Sequence, residues 1–272
     1  MTKTPGGTKR NWLSRIIHRP PVIPVVRLHG VIAAEQRPGR LNIATVEPLL
    51  AIVPLESLDK AVQQASRQRI LDLDYYHALI FISVNAVEQG CELIDSYWPQ
   101  WPLGLELFAI GEATARALQD RGLSVSATGA GAMNSEALLA SAALQDIDQR
   151  RILIVRGVGG RETLAQTLRQ RCARVDYAEC YGREATAISS GELAALLIQH
   201  QINTVVLNSG ETLARFVALT TAEQRQRCAA IVPSARVAEL AADASFGDIE
   251  QSANAGQSAT MAALEGLAQR WP

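Results

Sequence analysis

One block of this chain occurs twice, and that repetition limits the fold more than any other feature. LIFISVNAVEQGCELI (79–94), FAIGEATARAL (108–118) and MNSEALLA (133–140) follow one another in the first copy. TVVLNSGETLARFVAL (204–219), AAIVPSARVAEL (229–240) and QSATMAAL (257–264) repeat them in the same order, each offset by roughly 125 residues. An offset this long signals a duplicated domain rather than a solenoid. In each copy the first two pieces begin as an apolar run and then turn into a helix through small polar residues. Domains built this way, facing each other, line a cleft with helix N-termini, which suit an anionic ligand.

Strand and helix alternate along the rest of the chain. Strands are expected at 22–28, 78–83, 105–110, 125–128, 151–156, 204–208 and 230–233, with a last one near 248–251. Helices are expected over 58–71, 86–97, 113–122, 135–144, 162–171, 191–199, 211–219, 236–242 and 259–269. Asn134 or Ser135 is the expected cap of the fourth. Such alternation implies parallel sheets with helices on both faces. Two extended segments, 49–56 and 175–182, flank the first copy. If they pair, they form a two-stranded hinge. The expected domains are then 57–174, and a discontinuous one of 22–48 plus 183–272, behind a flexible basic leader over 1–21. A surface helix at 12–17 is the alternative for part of that leader.

Composition narrows the function. A formal net charge of −1 argues against a general nucleic-acid binder. No apolar run approaches 18 residues, so no stable membrane insertion is expected. Cys91, Cys172, Cys180 and Cys228 form no CxxC pair, and the histidines are dispersed, so no metal site is expected. Scattered cysteines and no apolar targeting segment favour the cytoplasm.

The candidate site residues are small polar groups and arginines at strand-to-helix turns. Arg156, Gly159, Gly160 and Arg161 lie in RILIVRGVGGRETL (151–164), a strand, a glycine turn and a helix start. The glycines permit close backbone approach, and the arginines suit carboxylates. The turn is not GxGxxG and has no Walker lysine, so no nucleotide site is implied. Ser83 and Asn85 follow a strand end, matched by Asn208, Ser209 and Gly210 in the second copy. Thr114 and Ser135 open helices, and Ser234 and Arg236 occupy the later turn of the second copy. Helix capping accounts for many of these residues equally well. Tyr181 ends the second extended segment, where packing is the expected role from position alone. No Ser-His-Asp order and no close carboxylate pair is present, so any catalysis rests on positioning and hydrogen bonds.

These blocks together resemble the uroporphyrinogen-III synthase family. That family's F-T-S-x-N-A-V pattern corresponds to 81–87, with Ile82 in place of Thr. I-G-x-A-T-A-x-A-L corresponds to 110–118, N-S-E-A-L-L to 134–139, R-G-x-G-G-R-E to 156–162, and S-x-R-x-A to 234–238. The front departs from the pattern. The family opens on a strand ending in T-R-P and then a long helix. Here Arg27 is the nearest arginine, and RPGR (37–40) interrupts the expected helix. Residues 23–50 resemble the opening of a signal-peptide-peptidase-type serine protease, without that family's later serine and lysine motifs.

The resemblance implies two similar, flavodoxin-like α/β domains with a hinge and a cleft. It implies hydroxymethylbilane as substrate, no cofactor and a monomer. The implied reaction loses the substrate's hydroxyl as water, inverts the last pyrrole ring and closes the macrocycle. Tyr181 is the implied hydrogen-bond donor to the departing hydroxyl. A non-catalytic binder of a tetrapyrrole or other polycarboxylate is the alternative.

Overall fold

The structure, a computed structural model, describes residues 25–27, 32–34, 44–128 and 135–270. The proposed leader, the 12–17 segment, RPGR and Asn134 lie outside them. The chain divides into two compact units. One contains the chain up to Leu50 together with the segment from Ala185 onward, and the other is Ala51–Glu184.

The second unit carries a six-stranded sheet in the order β4-β9-β8-β5-β6-β7. Its strands are β4 (Leu50–Pro54), β5 (Ala78–Phe81), β6 (Glu106–Ala109), β7 (Ala127–Thr128), β8 (Arg151–Gly157) and β9 (Arg174–Ala185). The pairs from β9 through β7 are parallel. Both extended segments of the sequence, now β4 and β9, are neighbours in this sheet. Helices α1 (Lys60–Leu71), α2 (Val84–Asp95), α3 (Glu112–Asp120), α4 (Ser135–Leu139) and α5 (Thr163–Gln170) join the strands. The strand period of two sorts the core cleanly. Leu79, Phe81, Leu153 and Val155 pack on one face with α1, α2 and α3. Ala78, Ile80, Ile152 and Ile154 pack on the other with α4 and α5. Burial on both faces explains why these strands read as continuous apolar runs. The helix expected over 135–144 stops at Leu139 and resumes as a separate short turn at Ala142–Leu144.

The first unit has a sheet in the order β12-β11-β10-β1-β2-β3. Here β1 is Val25–Arg27, β2 Ile32–Ala34, β3 Ala44–Val46, β10 Thr204–Val206, β11 Ala229–Val232 and β12 Asp248–Gln251. Its helices are α6 (Ser190–Gln199), α7 (Gly210–Leu219), α8 (Ala222–Gln226), α9 (Ala235–Ala242) and α10 (Gln257–Leu267). β12, β11, β10 and β1 run parallel. The run of parallel strands expected throughout stops there, because β2 and β3 return antiparallel. Chain length explains the difference: only residues 28–31 separate β1 from β2, far short of the dozen or so a parallel crossover needs.

The duplicated part is therefore β5-α2-β6-α3-β7-α4 against β10-α7-β11-α9-β12-α10. The strand beside it is supplied differently. In one unit β8 follows in sequence and pairs with β5, and in the other β1 comes from the chain's front to pair with β10.

Candidate functional site

The glycine turn at the end of β8 is organised around a buried arginine. Arg156 is only 3% exposed. Its Nη1 donates to Glu162 at 3.0 Å, its Nε donates to the Gly157 carbonyl at 3.2 Å, and its guanidinium lies 4.6 Å from the Tyr177 ring centre. Glu179 adds a second carboxylate 4.0 Å from Nε and accepts from the Gly159 N–H at 3.2 Å. Glu162 also takes a short hydrogen bond from the Tyr177 hydroxyl. That bond, with Arg156 beside it, holds the Glu162 carboxyl below its usual range, while burial and the same carboxylate push the Tyr177 phenol up. Gly159 and Gly160 have φ of 73° and 106°, conformations that a side chain would strain. A Cβ on Gly160 would also sit 3.0 Å from Arg156 Nη2. Arg156 therefore shapes the turn from within, and Arg161 is the exposed arginine of the pair.

One irregularity in the sheet decides where Tyr181 goes. Arg156 lies opposite Glu179, but Gly157 lies opposite Tyr181, so β9 has one extra residue at this step. Such a bulge reverses which face the following side chains point to. Tyr181 thereby joins Ala178 and Cys180 in the same core cluster, fully buried. Its ring passes over Gly157, where a Cβ would lie 2.6 Å from the ring.

The Tyr181 hydroxyl meets Ser83 and Arg183. Its oxygen is 3.0 Å from Ser83 Oγ and receives Arg183 Nη2 at 3.2 Å. Ser83 is the N-cap of α2 and accepts from the Ala86 N–H at 3.0 Å. Asn85 lies in the first turn of that helix, half-buried. Thr114 is buried in the first turn of α3, which starts from Gly111 at φ 85°. Ser135 opens α4. Among the described residues no hydrogen bond ties Thr114 or Ser135 to the Ser83–Tyr181 pair. Arg183 is a residue that the sequence reading missed. Its one signal is its spacing, two residues past Tyr181 on an extended strand, hence on the same face.

The first unit shows a parallel arrangement. Ser209 caps α7, accepting from the Thr212 N–H at 3.1 Å, and its hydroxyl lies 2.9 Å from that of Thr212. Asn208 precedes it, half-buried. Arg236 reaches over Gly210, with Nη2 3.4 Å from where a Cβ would stand. Ser234 starts α9, but its hydroxyl makes no cap bond and is buried without a hydrogen-bond partner. Leaving such a group unmade costs about 1–3 kcal/mol, which sets Ser234 apart from the capping serines Ser83 and Ser209. Among the described residues no group of three metal-ligating side chains is assembled, and no helix is long and apolar enough to cross a membrane.

Both units are α/β folds whose strand-to-helix turns carry hydroxyls and backbone amides, the class of protein in which ligands bind at the carboxyl ends of the strands. The chain belongs to the uroporphyrinogen-III synthase family: residues 41–262 match the family model described as "Uroporphyrinogen-III synthase HemD". Uroporphyrinogen-III synthase of Salmonella typhimurium is 38% identical over 203 residues, covering 69% of this chain and 78% of the relative. The enzyme of Escherichia coli K12 is 32% identical over 255 residues, covering 86% of this chain and 96% of its own. Among solved structures, uroporphyrinogen-III synthetase of Helicobacter pylori aligns with a TM-score of 0.56 at 15% identity, covering 82% of this chain and 92% of that one. A mutant enzyme of Thermus thermophilus aligns at a TM-score of 0.50 and 14% identity, over 81% of this chain and 89% of its own. At those identities the structures speak for the fold.

Proposed function

We propose that this protein is a uroporphyrinogen-III synthase, converting hydroxymethylbilane to uroporphyrinogen III. The observation that carries the reading is the family match over residues 41–262, which takes in Ser83, Tyr181, Ser209 and Ser234. The substrate is a linear tetrapyrrole bearing acetate and propionate groups. In each unit, helix N-termini at strand ends supply donors for such carboxylates. Each contact contributes roughly 0.3–1 kcal/mol, up to ~2 kcal/mol when partly buried. Several together reach micromolar binding, about −8 kcal/mol, without a net positive chain.

The substrate-binding set comprises Ser83, Asn85, Thr114, Ser135, Gly159, Gly160 and Arg161 in one unit, and Asn208, Ser209, Gly210, Ser234 and Arg236 in the other. Arg156 supports binding from behind the turn. The chemistry balances without a cofactor. The carbon–oxygen bond of the hydroxymethyl group breaks with its electron pair on oxygen, and a donated proton completes the water. Inversion exchanges the two α-carbon attachments of the terminal pyrrole ring: the freed methylene carbon bonds to the α-carbon that carries the existing bridge, that bridge's bond to the ring breaks, and the bridge carbon re-bonds at the ring's other α-carbon. Once that last carbon–carbon bond has formed, this other α-carbon loses its hydrogen as a proton, replacing the one donated. The demand on the protein is selectivity between ring closures with and without inversion. A hundredfold preference requires only about 2.8 kcal/mol of differential transition-state binding, within reach of hydrogen bonds and positioning. The reading extends to a monomer working in the cytoplasm, which sedimentation and cell fractionation would check.

The test is to supply freshly generated hydroxymethylbilane and separate the oxidised porphyrin isomers. A dominant type III isomer is expected. Type I alone, from folded protein, would overturn the synthase reading in favour of a non-catalytic polycarboxylate binder.

A further inference from the structure

We infer that Arg183 is a positioning residue: its guanidinium turns the Tyr181 proton toward Ser83, so that Ser83 is the hydroxyl presented to the substrate's departing oxygen. This rests on the synthase reading above. The starting observation is burial. Tyr181 has no exposed surface, so its phenol does not itself face a ligand. Ser83, bonded to it at 3.0 Å, is partly exposed at the start of α2.

A phenol oxygen has one hydrogen, which prefers the plane of the ring and so has two favoured positions. Arg183 Nη2 approaches that oxygen at 3.2 Å and carries only donors. A phenol hydrogen pointing toward it would set donor against donor. The hydrogen therefore points at Ser83. Ser83 Oγ then accepts from both Tyr181 and the Ala86 N–H, which fills its two lone pairs. Its own hydrogen is left to give to a ligand. The reverse arrangement would have the phenol accept twice and leave its hydrogen buried and unmade, which is disfavoured. Each bond in the chain from guanidinium to phenol to serine also polarises the next.

The frame that holds the relay still is made of glycines. Gly157 lies under the Tyr181 ring, and a Cβ on Gly182 would stand 2.6 Å from Leu58 and 2.9 Å from Val53 side-chain carbons. β9 is thus fixed on both sides of the tyrosine, and Arg183 projects from a constrained strand.

Two readouts test the assignment. In the first, tyrosine is labelled with 13C at Cζ and the hydroxyl exchange of each of the five tyrosines is read from the deuterium isotope shift. Tyr181 is identified by the signal missing in Tyr181→Phe. Its hydroxyl should exchange about tenfold faster in Arg183→Met than in wild type, and slowly again in Arg183→Lys, which keeps a charged donor. Equal exchange in Arg183→Met would overturn the assignment, whatever the protein's activity. In the second, Arg183→Met should lower kcat about tenfold and leave KM within about threefold, with no further loss when added to Tyr181→Phe. A raised KM at unchanged kcat would instead make Arg183 a direct carboxylate ligand. Full additivity with Tyr181→Phe would likewise refute the relay. If the wild type yields type I isomer alone, the synthase reading fails, while the exchange measurement still decides the Arg183 geometry.

Discussion

Replacing Gly157 by alanine should drive a methyl group into the buried Tyr181 ring. The new Cβ would stand 2.6 Å from Tyr181 Cε2, 2.7 Å from Cζ and 3.0 Å from Cδ2. Ordinary contact begins near 3.4 Å, so the ring has to retreat by nearly an ångström. It has nowhere to go, because Tyr181 is fully buried among Phe81, Val155 and Cys180 in one cluster. Overpacking of this kind costs about 1–3 kcal/mol. Gly157 does not occupy the left-handed region, so alanine recovers roughly 0.4–1 kcal/mol by restricting the unfolded chain. The net loss is about 1–2 kcal/mol, a fall in melting temperature of roughly 4–8 °C. Circular dichroism melts of Gly157→Ala, alone and combined with Tyr181→Leu, measure it. If two transitions are seen, only that of the Ala51–Glu184 unit should move. A Gly157→Ala protein melting within about 1 °C of wild type would refute the steric argument. So would an equal loss in the Tyr181→Leu background, where the obstructing ring is gone.

Tyr181→Phe removes the phenol while keeping the ring, and should lower kcat by about 10–100-fold with a smaller effect on KM; steady-state kinetics with isomer analysis checks it, and unchanged turnover removes Tyr181 from the mechanism. Glu162 is held below its usual range first by the Tyr177 hydroxyl and then by Arg156, so its contribution to stability is present above the ordinary carboxylate range and fades as pH falls through its folded value. Tyr177→Phe should raise the Glu162 titration midpoint, read by carboxyl 13C NMR, and an unmoved midpoint would contradict the hydrogen bond. Burial pushes the Cys91, Cys180 and Cys228 thiols up to about 12, while Cys172 is exposed. Native protein at neutral pH should therefore react with iodoacetamide at Cys172 alone, and peptide mapping that finds rapid labelling at Cys180 would contradict its burial.

The sequence by itself determined the alternation of strand and helix, the duplication, and which turns carry hydroxyls. These are local signals. Continuous apolar runs mark the doubly covered strands β5 and β8, and Ser83 and Ser209 do cap α2 and α7 as their place before a helical period implies. Family membership was legible for the same reason: motif order survives where individual motifs are soft. The tertiary structure alone decided the rest. Nothing in VVRLHGVIAA shows that β1 pairs with a strand far along the chain, or that β2 turns back antiparallel. Arg156 read as a carboxylate ligand, but the fold buries it against Glu162 and Tyr177, because side-chain type does not reveal which charges the sheet brings close. Tyr181 is the sharpest case. A strand period of two places it on the face of Tyr177 and Glu179. One extra residue opposite Arg156–Gly157 moves it to the face of Ala178 and Cys180, within reach of Ser83. A bulge is a mismatch between two strands, so neither strand's sequence contains it.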